Sequence, residues 1–378
     1  TIILTYLEHV FNESKNQKEM NQALITFSRY LHYIELQKAI SSSICQAIAH
    51  NIFLVPEYQY GVLCCFDSIA THSMASGDQL MRQVFDVFIG NVAAACQNIP
   101  DYLSALISNS ELLFKLIQTI GDFLLLDQSS LLQGILTETA AESLKYLVEL
   151  TEVSEDEAFK NAVEIWHDLS RTFYLEQHRV TPPPFVIQKL QYIFVKRMAA
   201  PPELLDLFPQ DLNNAQGQEL YQLMRQTSVC LSHLERENMK LMIMQFLSNP
   251  ETVYNACFSI GAISGTFNIQ EEQSFLSGCL EIIYSYLNSS DATAIQKMQL
   301  YGSYFFICSL YPRFFYQNWP HQKILANNIL QAIHIPDNYD FQKATVNIFK
   351  TISYRNAKPF IMLYEGEKET TIVQYLSQ

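Results

Sequence analysis

Charged side chains make up only 16% of this 378-residue chain, and those present lean acidic, with 38 Asp and Glu against 24 Lys and Arg. A net charge of −14 argues against direct nucleic-acid binding, which needs a basic stripe along the phosphates. The same charge keeps a chain soluble, or draws in a basic partner protein and speeds its encounter. Glycine and proline are sparse, at 11 and 13, too few for the turns of an all-β or Rossmann-type chain. None of the eight cysteines falls in a C-x-x-C pair, and most sit among apolar residues at helical spacing. That is the pattern of reduced core thiols in an intracellular protein rather than of disulfides or metal ligands. No uninterrupted apolar run is long enough to span a bilayer, so no membrane insertion is expected. The chain starts at Thr1 without a signal-peptide pattern and stops at Ser377-Gln378 within an apparent helix, so a piece of a longer protein is expected.

The motifs of catalysis are missing as well. There is no G-x-x-x-x-G-K-[ST], no G-x-G-x-x-G, no H-E-x-x-H and no acidic calcium loop. His167-Asp168-Leu169-Ser170 holds the residue types of a triad, but neighbours at i, i+1 and i+3 on one helix point apart. The nine histidines are scattered and offer no zinc spacing. The expectation is a non-enzyme without cofactor or metal.

What is abundant is apolar residue at helical spacing, within a hydrophobic content of 49%. Stripes run through 1–13, Gln17–Leu36, Ala39–Phe53, Tyr58–Ala70, Asp78–Cys96, Leu112–Leu126 and Ser129–Leu150. Ser154, with Glu157 three residues on, reads as the capping box of a helix running to about Tyr174. Thr181-Pro182-Pro183-Pro184 breaks the chain before a helix at 185–199, and 200–216 reads as a loop. Helices near 218–234, 236–247, 250–266, 272–288, 292–309, 318–334, 339–354 and 368–376 follow. Antiparallel pairs recurring every 40–50 residues, with no strand run and no long linker, predict one continuous all-α HEAT-repeat solenoid over 1–378, a right-handed superhelix of helix pairs.

Within it, the stretch 271–335 carries more apolar surface than one core requires. In the helix near 273–288, Leu276, Cys279, Ile283 and Tyr286 form one stripe and Leu280, Tyr284 and Leu287 a second. In the helix near 318–334, Ala326, Ile329, Leu330 and Ile333 can face inward, which leaves Ile324, Leu325, Asn328 and Ala332 on another side. Two neighbouring helices with spare apolar faces suggest a groove for an apolar guest, unless a third helix covers them.

Several ordered segments resemble the exportin-1 family of the importin-β (karyopherin) superfamily, receptors for leucine-rich nuclear export signals. They include Leu150-Thr151-Glu152-Val153, Phe159-Lys160 and Glu164-Ile165-Trp166-His167-Asp168-Leu169, with Tyr174 closing that pair. Val195-Lys196-Arg197-Met198-Ala199, Met224-Arg225-Gln226-Thr227 and Leu231-Ser232-His233-Leu234 are similar to the next repeats. Ser259-Ile260-Gly261-Ala262-Ile263-Ser264-Gly265 and Tyr311-Pro312-Arg313-Phe314, with Trp319 beyond, match two further landmarks. The likeness covers about 140–376 and is fainter over 1–139, where Phe53-Leu54-Val55-Pro56 also fits.

The resemblance implies an export-signal groove on the outer surface between consecutive repeats. Carried over, Leu280, Tyr284 and Leu287 line one wall, with Phe305 and Phe314 in the intervening stretch. His321, Ile324, Leu325, Asn328 and Ala332 form the other wall. Leu287 stands where many members carry the cysteine alkylated by leptomycin, and Asn328 where many carry a selectivity lysine. His321 and Ala332 replace aromatic residues, and the loop 200–216 is shorter than the family's acidic hairpin. The implied partners are Ran-GTP, cargo proteins with leucine-rich signals and nucleoporins, for a receptor shuttling between nucleus and cytoplasm through the pore. The alternative is another importin-β-type receptor, or a HEAT-repeat interaction scaffold.

Overall fold

The computed structural model describes residues 2–14, 16–50, 52–72, 79–126, 135–208, 214–289 and 293–333, with 339, 342, 343, 346, 347, 350 and 354 beyond them. Among the described residues there are eighteen α-helices, three short 3-10 turns and no strand. The chain is an all-α HEAT-type solenoid, and its residues cluster into two compact units, Thr1–Lys189 and Leu190–Gln378. The helix expected near 368–376, and most of that near 339–354, lie outside the described residues.

The first unit contains α1 (Ile2–Glu13), α2 (Gln17–Leu31), α3 (Leu36–Ile40), α4 (Ser43–His50), α5 (Gln59–Ala70) and α6 (Gln79–Asn98). It continues with α7 (Tyr102–Ile107), α8 (Ser110–Leu126), α9 (Glu138–Val153) and α10 (Asp156–Leu175). The helices stack in two layers. α2, α5, α8 and α10 pack in sequence in one, and α1, α4, α6 and α9 in the other. Leu24, Phe27, Val62, Phe88, Ile117, Ile120, Phe123 and Trp166 form the seam between them, all fully buried. Phe85 stacks on Phe123 with centroids 5.1 Å apart, and Trp166 Nε1 donates to Thr151 Oγ1 at 2.9 Å. A bare helix pair cannot bury both apolar faces, and stacking a neighbour on each side does so.

The boundary between the units falls within α11 (Pro184–Lys196). The second unit goes on with α12 (Asn214–Leu234), α13 (Arg236–Leu247), α14 (Val253–Ala262), α15 (Ile269–Leu287), α16 (Ala294–Leu310), α17 (Pro312–Gln317) and α18 (Trp319–Ile333). Here α12, α14, α16 and α18 pack in sequence, and α13, α15 and α17 form the opposite layer. Two glycines of the Ser259–Gly265 segment have distinct roles. A Cβ on Gly261 would overlap the Phe306 ring, so α14 and α16 touch closely there, whereas Gly265 sits at φ +85, a conformation that favours glycine.

Several local expectations shift. Helix α10 opens at Asp156 with Glu155 as its N-cap residue, one position later than expected, while the Ser154 hydroxyl donates to Thr151 O at 3.0 Å. Reciprocal capping boxes occur instead at Asn268/Glu271 and Thr293/Gln296, which fix the starts of α15 and α16. The region 39–53 is two helices and a 3-10 turn rather than one helix, and α7 is a short helix that periodicity missed. Part of the expected loop 200–216 is a packed strap: Leu204 is fully buried, Phe208 meets Tyr254 and Phe258 edge-on, and Gln299 Nε2 donates to Leu207 O.

Candidate functional site

The described residues of the stretch 271–335 form α15 to α18, and their packing begins with an ion pair between a buried carboxylate and a partly exposed guanidinium. Glu272 lies one helical turn before Leu276 on the core-facing stripe of α15 and is itself buried. Arg313, the second residue of α17, grips it with two hydrogen bonds, Nε to Oε1 at 3.0 Å and Nη2 to Oε2 at 2.6 Å. The same Nη2 also donates to Phe267 O at 3.2 Å. Periodicity did not flag this pair. Its signal was available, since a carboxylate on an apolar stripe requires a cation. Tyr311 is fixed too, buried with its hydroxyl donating to Ile260 O at 2.6 Å.

Helix α15 packs on α13, α16 and α17, and α18 packs on α16 and α17. The two expected walls therefore rest on shared supports rather than lying flush along their length. Where they approach, Tyr284 reaches His321: the hydroxyl is 3.1 Å from Nδ1 and the rings stack with centroids 5.9 Å apart. Tyr304, fully buried on α16, lies beneath, its hydroxyl 3.5 Å from that of Tyr284. Phe314 closes the cluster with its ring centroid 5.1 Å from that of His321.

Burial sets the electrostatics here. It pushes the Tyr284 hydroxyl well above the ordinary tyrosine range and lowers the His321 imidazole, against a weaker upward pull from Glu281. Both rings are thus neutral near pH 7. With His321 protonated on Nε2, the Tyr284 hydroxyl donates to Nδ1.

The ten residues expected to line the groove divide by exposure. Leu280, Phe305, Phe314, Leu325 and Ala332 are buried, each at 0 or 1%, and Leu287 is nearly so at 7%. Tyr284, His321 and Asn328 are half-exposed, and Ile324 is exposed. The spare apolar faces read from the sequence are therefore largely covered by the protein's own helices. The physical reason is that α15 has neighbours on more than one side, so Leu276, Cys279 and Ile283 and also Leu280 and Leu287 are all used in packing. Helix α18 likewise buries Leu325 and Ala332 together with Ala326 and Ile329. What faces outward is a shallow row of Tyr284, His321, Ile324 and Asn328.

The other features raised by the sequence carry no reactive arrangement. His167 Nδ1 does meet Asp168 Oδ1, at 3.1 Å, but the Ser170 hydroxyl donates to the His167 carbonyl and not to its ring. All eight cysteines are free, and no cluster of His, Cys, Asp and Glu with metal-binding geometry occurs among the described residues. No helix among the described residues is long and apolar enough to cross a membrane.

No family model matches the chain. It is similar along nearly its whole length to Exportin-1 of Drosophila melanogaster, 22% identical over 411 aligned residues that cover 99% of this chain and 38% of the fly protein. Protein EXPORTIN 1A of Arabidopsis thaliana is 22% identical over 98% of the chain and 39% of its own length. Exportin-1 of Dictyostelium discoideum is 24% identical over 61% of the chain. The chain thus spans under two-fifths of the length of the fly and Arabidopsis relatives. Among solved structures, the karyopherin Kap121p, bound to the extreme C-terminus of the protein phosphatase Cdc14p, superposes with a TM-score of 0.52 over 94% of this chain and 38% of its own, at 11% identity, which establishes the shared fold. The chain is thus similar in sequence to exportin-1 proteins over nearly its whole length, and it shares the all-α fold of a solved karyopherin.

Proposed function

We propose that this chain is part of a nuclear export receptor, and that the face carrying Tyr284, His321, Ile324 and Asn328 takes a leucine-rich export signal. The observation that supports this reading most is the end-to-end similarity to exportin-1, in which 271–335 falls within the aligned span. The partners proposed with it are cargo proteins bearing such signals and Ran-GTP, for a receptor that shuttles between nucleus and cytoplasm.

The covered floor shapes the mechanism. A signal peptide forms an amphipathic helix and offers apolar anchors to a groove. Each fully buried anchor gains roughly 1.5–3 kcal/mol, while ordering the peptide costs about 2–5 kcal/mol. Reaching the floor of Leu280, Phe314 and Leu325 also requires parting the Tyr284–His321 contact that spans the two helices. Binding by the unaided chain is therefore weak. A second ligand that favours the parted arrangement tightens it, and reciprocity makes cargo tighten that ligand equally. Ran-GTP is the proposed second ligand, loading cargo in the nucleus and releasing it after hydrolysis.

The test is fluorescence anisotropy of a labelled leucine-rich export peptide against the chain, with and without GTP-loaded Ran. Ile324→Asp is the informative variant, because Ile324 is exposed while Leu325 is fully buried and an aspartate there would disturb the fold. Ile324→Asp is expected to weaken the peptide about tenfold or more, the cost of a charge at an apolar anchor. Equal affinity in the variant overturns the site.

The burial of Leu280, Phe305, Phe314, Leu325 and Ala332 favours a second reading, in which a receptor or scaffold of the same solenoid class holds folded cargo on other helices. Cargo binding that survives Ile324→Asp selects it.

A further inference from the structure

We propose that the first unit carries a separate docking surface, a cleft that takes a basic, apolar-anchored peptide segment of a partner protein. The cleft has a volume of about 440 Å³ and opens where the end of α7 and the first turn of α8 face the turn between α9 and α10. Leu113 and Ala158 form a buried floor, with Phe114 and Val153 half-exposed along the sides. Ile107 stands at the rim, 49% exposed. Three exposed glutamates, Glu111, Glu155 and Glu157, complete the rim, and among the described residues no lysine, arginine or histidine lines it.

The charge balance selects the occupant. Glu111 lies in the first turn of α8, and Glu155 and Glu157 flank the start of α10. Carboxylates there offset the positive helix ends, so their position alone would be explained by helix stabilisation. Each helix end supplies about half a positive charge, so two ends offset about one of the three negative charges. About two negative charges remain over an apolar floor. A small polar cation would satisfy the rim and leave the floor wet, while a purely apolar helix would bury the glutamates without partners. A segment carrying lysine or arginine beside an aliphatic residue satisfies both, its methylene stems lying along the floor and its cationic heads reaching the rim. The net charge of −14 attracts the same kind of partner from a distance. This surface belongs to the first unit and does not depend on the export-signal reading, which concerns residues of the second.

The test uses the whole chain and a short fluorescein-labelled amphipathic peptide of lysine and leucine, followed by anisotropy at low and at physiological salt. The controls are a glutamate–leucine peptide of the same pattern and an oligolysine without leucine. The lysine–leucine peptide is expected to bind and to weaken with salt, and the two controls to bind at least about tenfold more weakly. Charge reversal by Glu155→Lys with Glu157→Lys, and loss of the rim anchor by Ile107→Ser, are each expected to reduce affinity about tenfold. Thermal melts confirm that the variants fold. Should the charge reversal unfold the first unit, Ile107→Ser alone decides, since Ile107 is exposed and carries no charge. Binding unchanged in the folded variants, or oligolysine binding as tightly as the lysine–leucine peptide, overturns the proposal. Ile324→Asp is expected to leave this binding intact, so the failure of one site is distinguishable from the failure of the other.

Discussion

Tyr284 and His321 come from helices that pack on common supports, and their side chains close the distance, hydroxyl to Nδ1 at 3.1 Å. Tyr284→Phe keeps the ring stack and deletes the hydrogen bond, so a loss of about 1 kcal/mol is expected in urea denaturation. The contact also sets a pH dependence. Burial depresses the His321 pKa, so the unfolded state binds its proton more readily. This contribution to stability is fully present above the ordinary histidine value and is lost as pH falls through it toward the depressed one. His321→Gln is expected to flatten that part of the stability–pH curve, and an unchanged slope would show that another group titrates there.

The Glu272–Arg313 pair joins α15 to α17 with one partner buried and the other partly exposed. Arg313→Ala leaves the Glu272 carboxylate buried without its cation, at a cost on the order of 2–3 kcal/mol. The double variant with Glu272→Gln recovers part of the loss, because the uncompensated charge is gone. A melt in which Arg313→Ala matches the parent would show that water replaces the guanidinium at no cost.

In the first unit, Asp67 and Asp122 bring two carboxylates together beside Lys115, which pairs with Asp67 at 2.8 Å. Asp67 Oδ1 and Asp122 Oδ2 are buried and each lacks a hydrogen-bond donor, the condition in which one shared proton relieves both. Burial and the Asp67 charge raise Asp122 to about 7. The folded state therefore holds a proton that the unfolded state has released, and this stabilisation is lost as pH rises from the ordinary carboxylate range to about 7. Asp122→Asn, which supplies a permanent donor, is expected to raise the melting temperature at pH 8 more than at pH 5. Equal shifts at both pH values would mean the pair carries no proton.

Thiol reactivity follows burial. Cys279 and Cys308 are fully buried, and burial raises both thiols far above the ordinary range. Maleimide labelling of the folded chain, read by mass spectrometry, is expected to modify the partly exposed Cys64, Cys96 and Cys230 first, and Cys45, pushed up to about 11 by burial, more slowly. Leu287 offers no thiol, so an electrophile directed to that position forms no adduct. Modification of Cys279 in the native state would show that α15 opens.

Helix content and the stacked-pair architecture were legible in the spacing of residues such as Leu24, Phe27 and Leu31, because a helix period and an apolar stripe are local properties. Helix starts were less so. Ser154 has the capping side chain, but its hydroxyl donates to Thr151 O and the helix opens one residue later, behind Glu155, whose side chain makes no cap hydrogen bond. The clearest miss concerns Leu280, Leu287, Leu325 and Ala332, read as spare surface and found in the core. A periodic pattern shows that a side chain is apolar and which way it points, but not how many neighbouring helices will cover it.

By itself, then, the sequence determined an acidic, all-helical, HEAT-type chain with free thiols and a likeness to exportins, since each of these follows from composition, local periodicity or residue order. Only the tertiary structure decided that α15 is enclosed on several sides, that Glu272 meets Arg313, and that Tyr284 reaches His321. Those outcomes depend on residues far apart in the chain arriving at one place, and their contact is settled by packing geometry that no local pattern encodes.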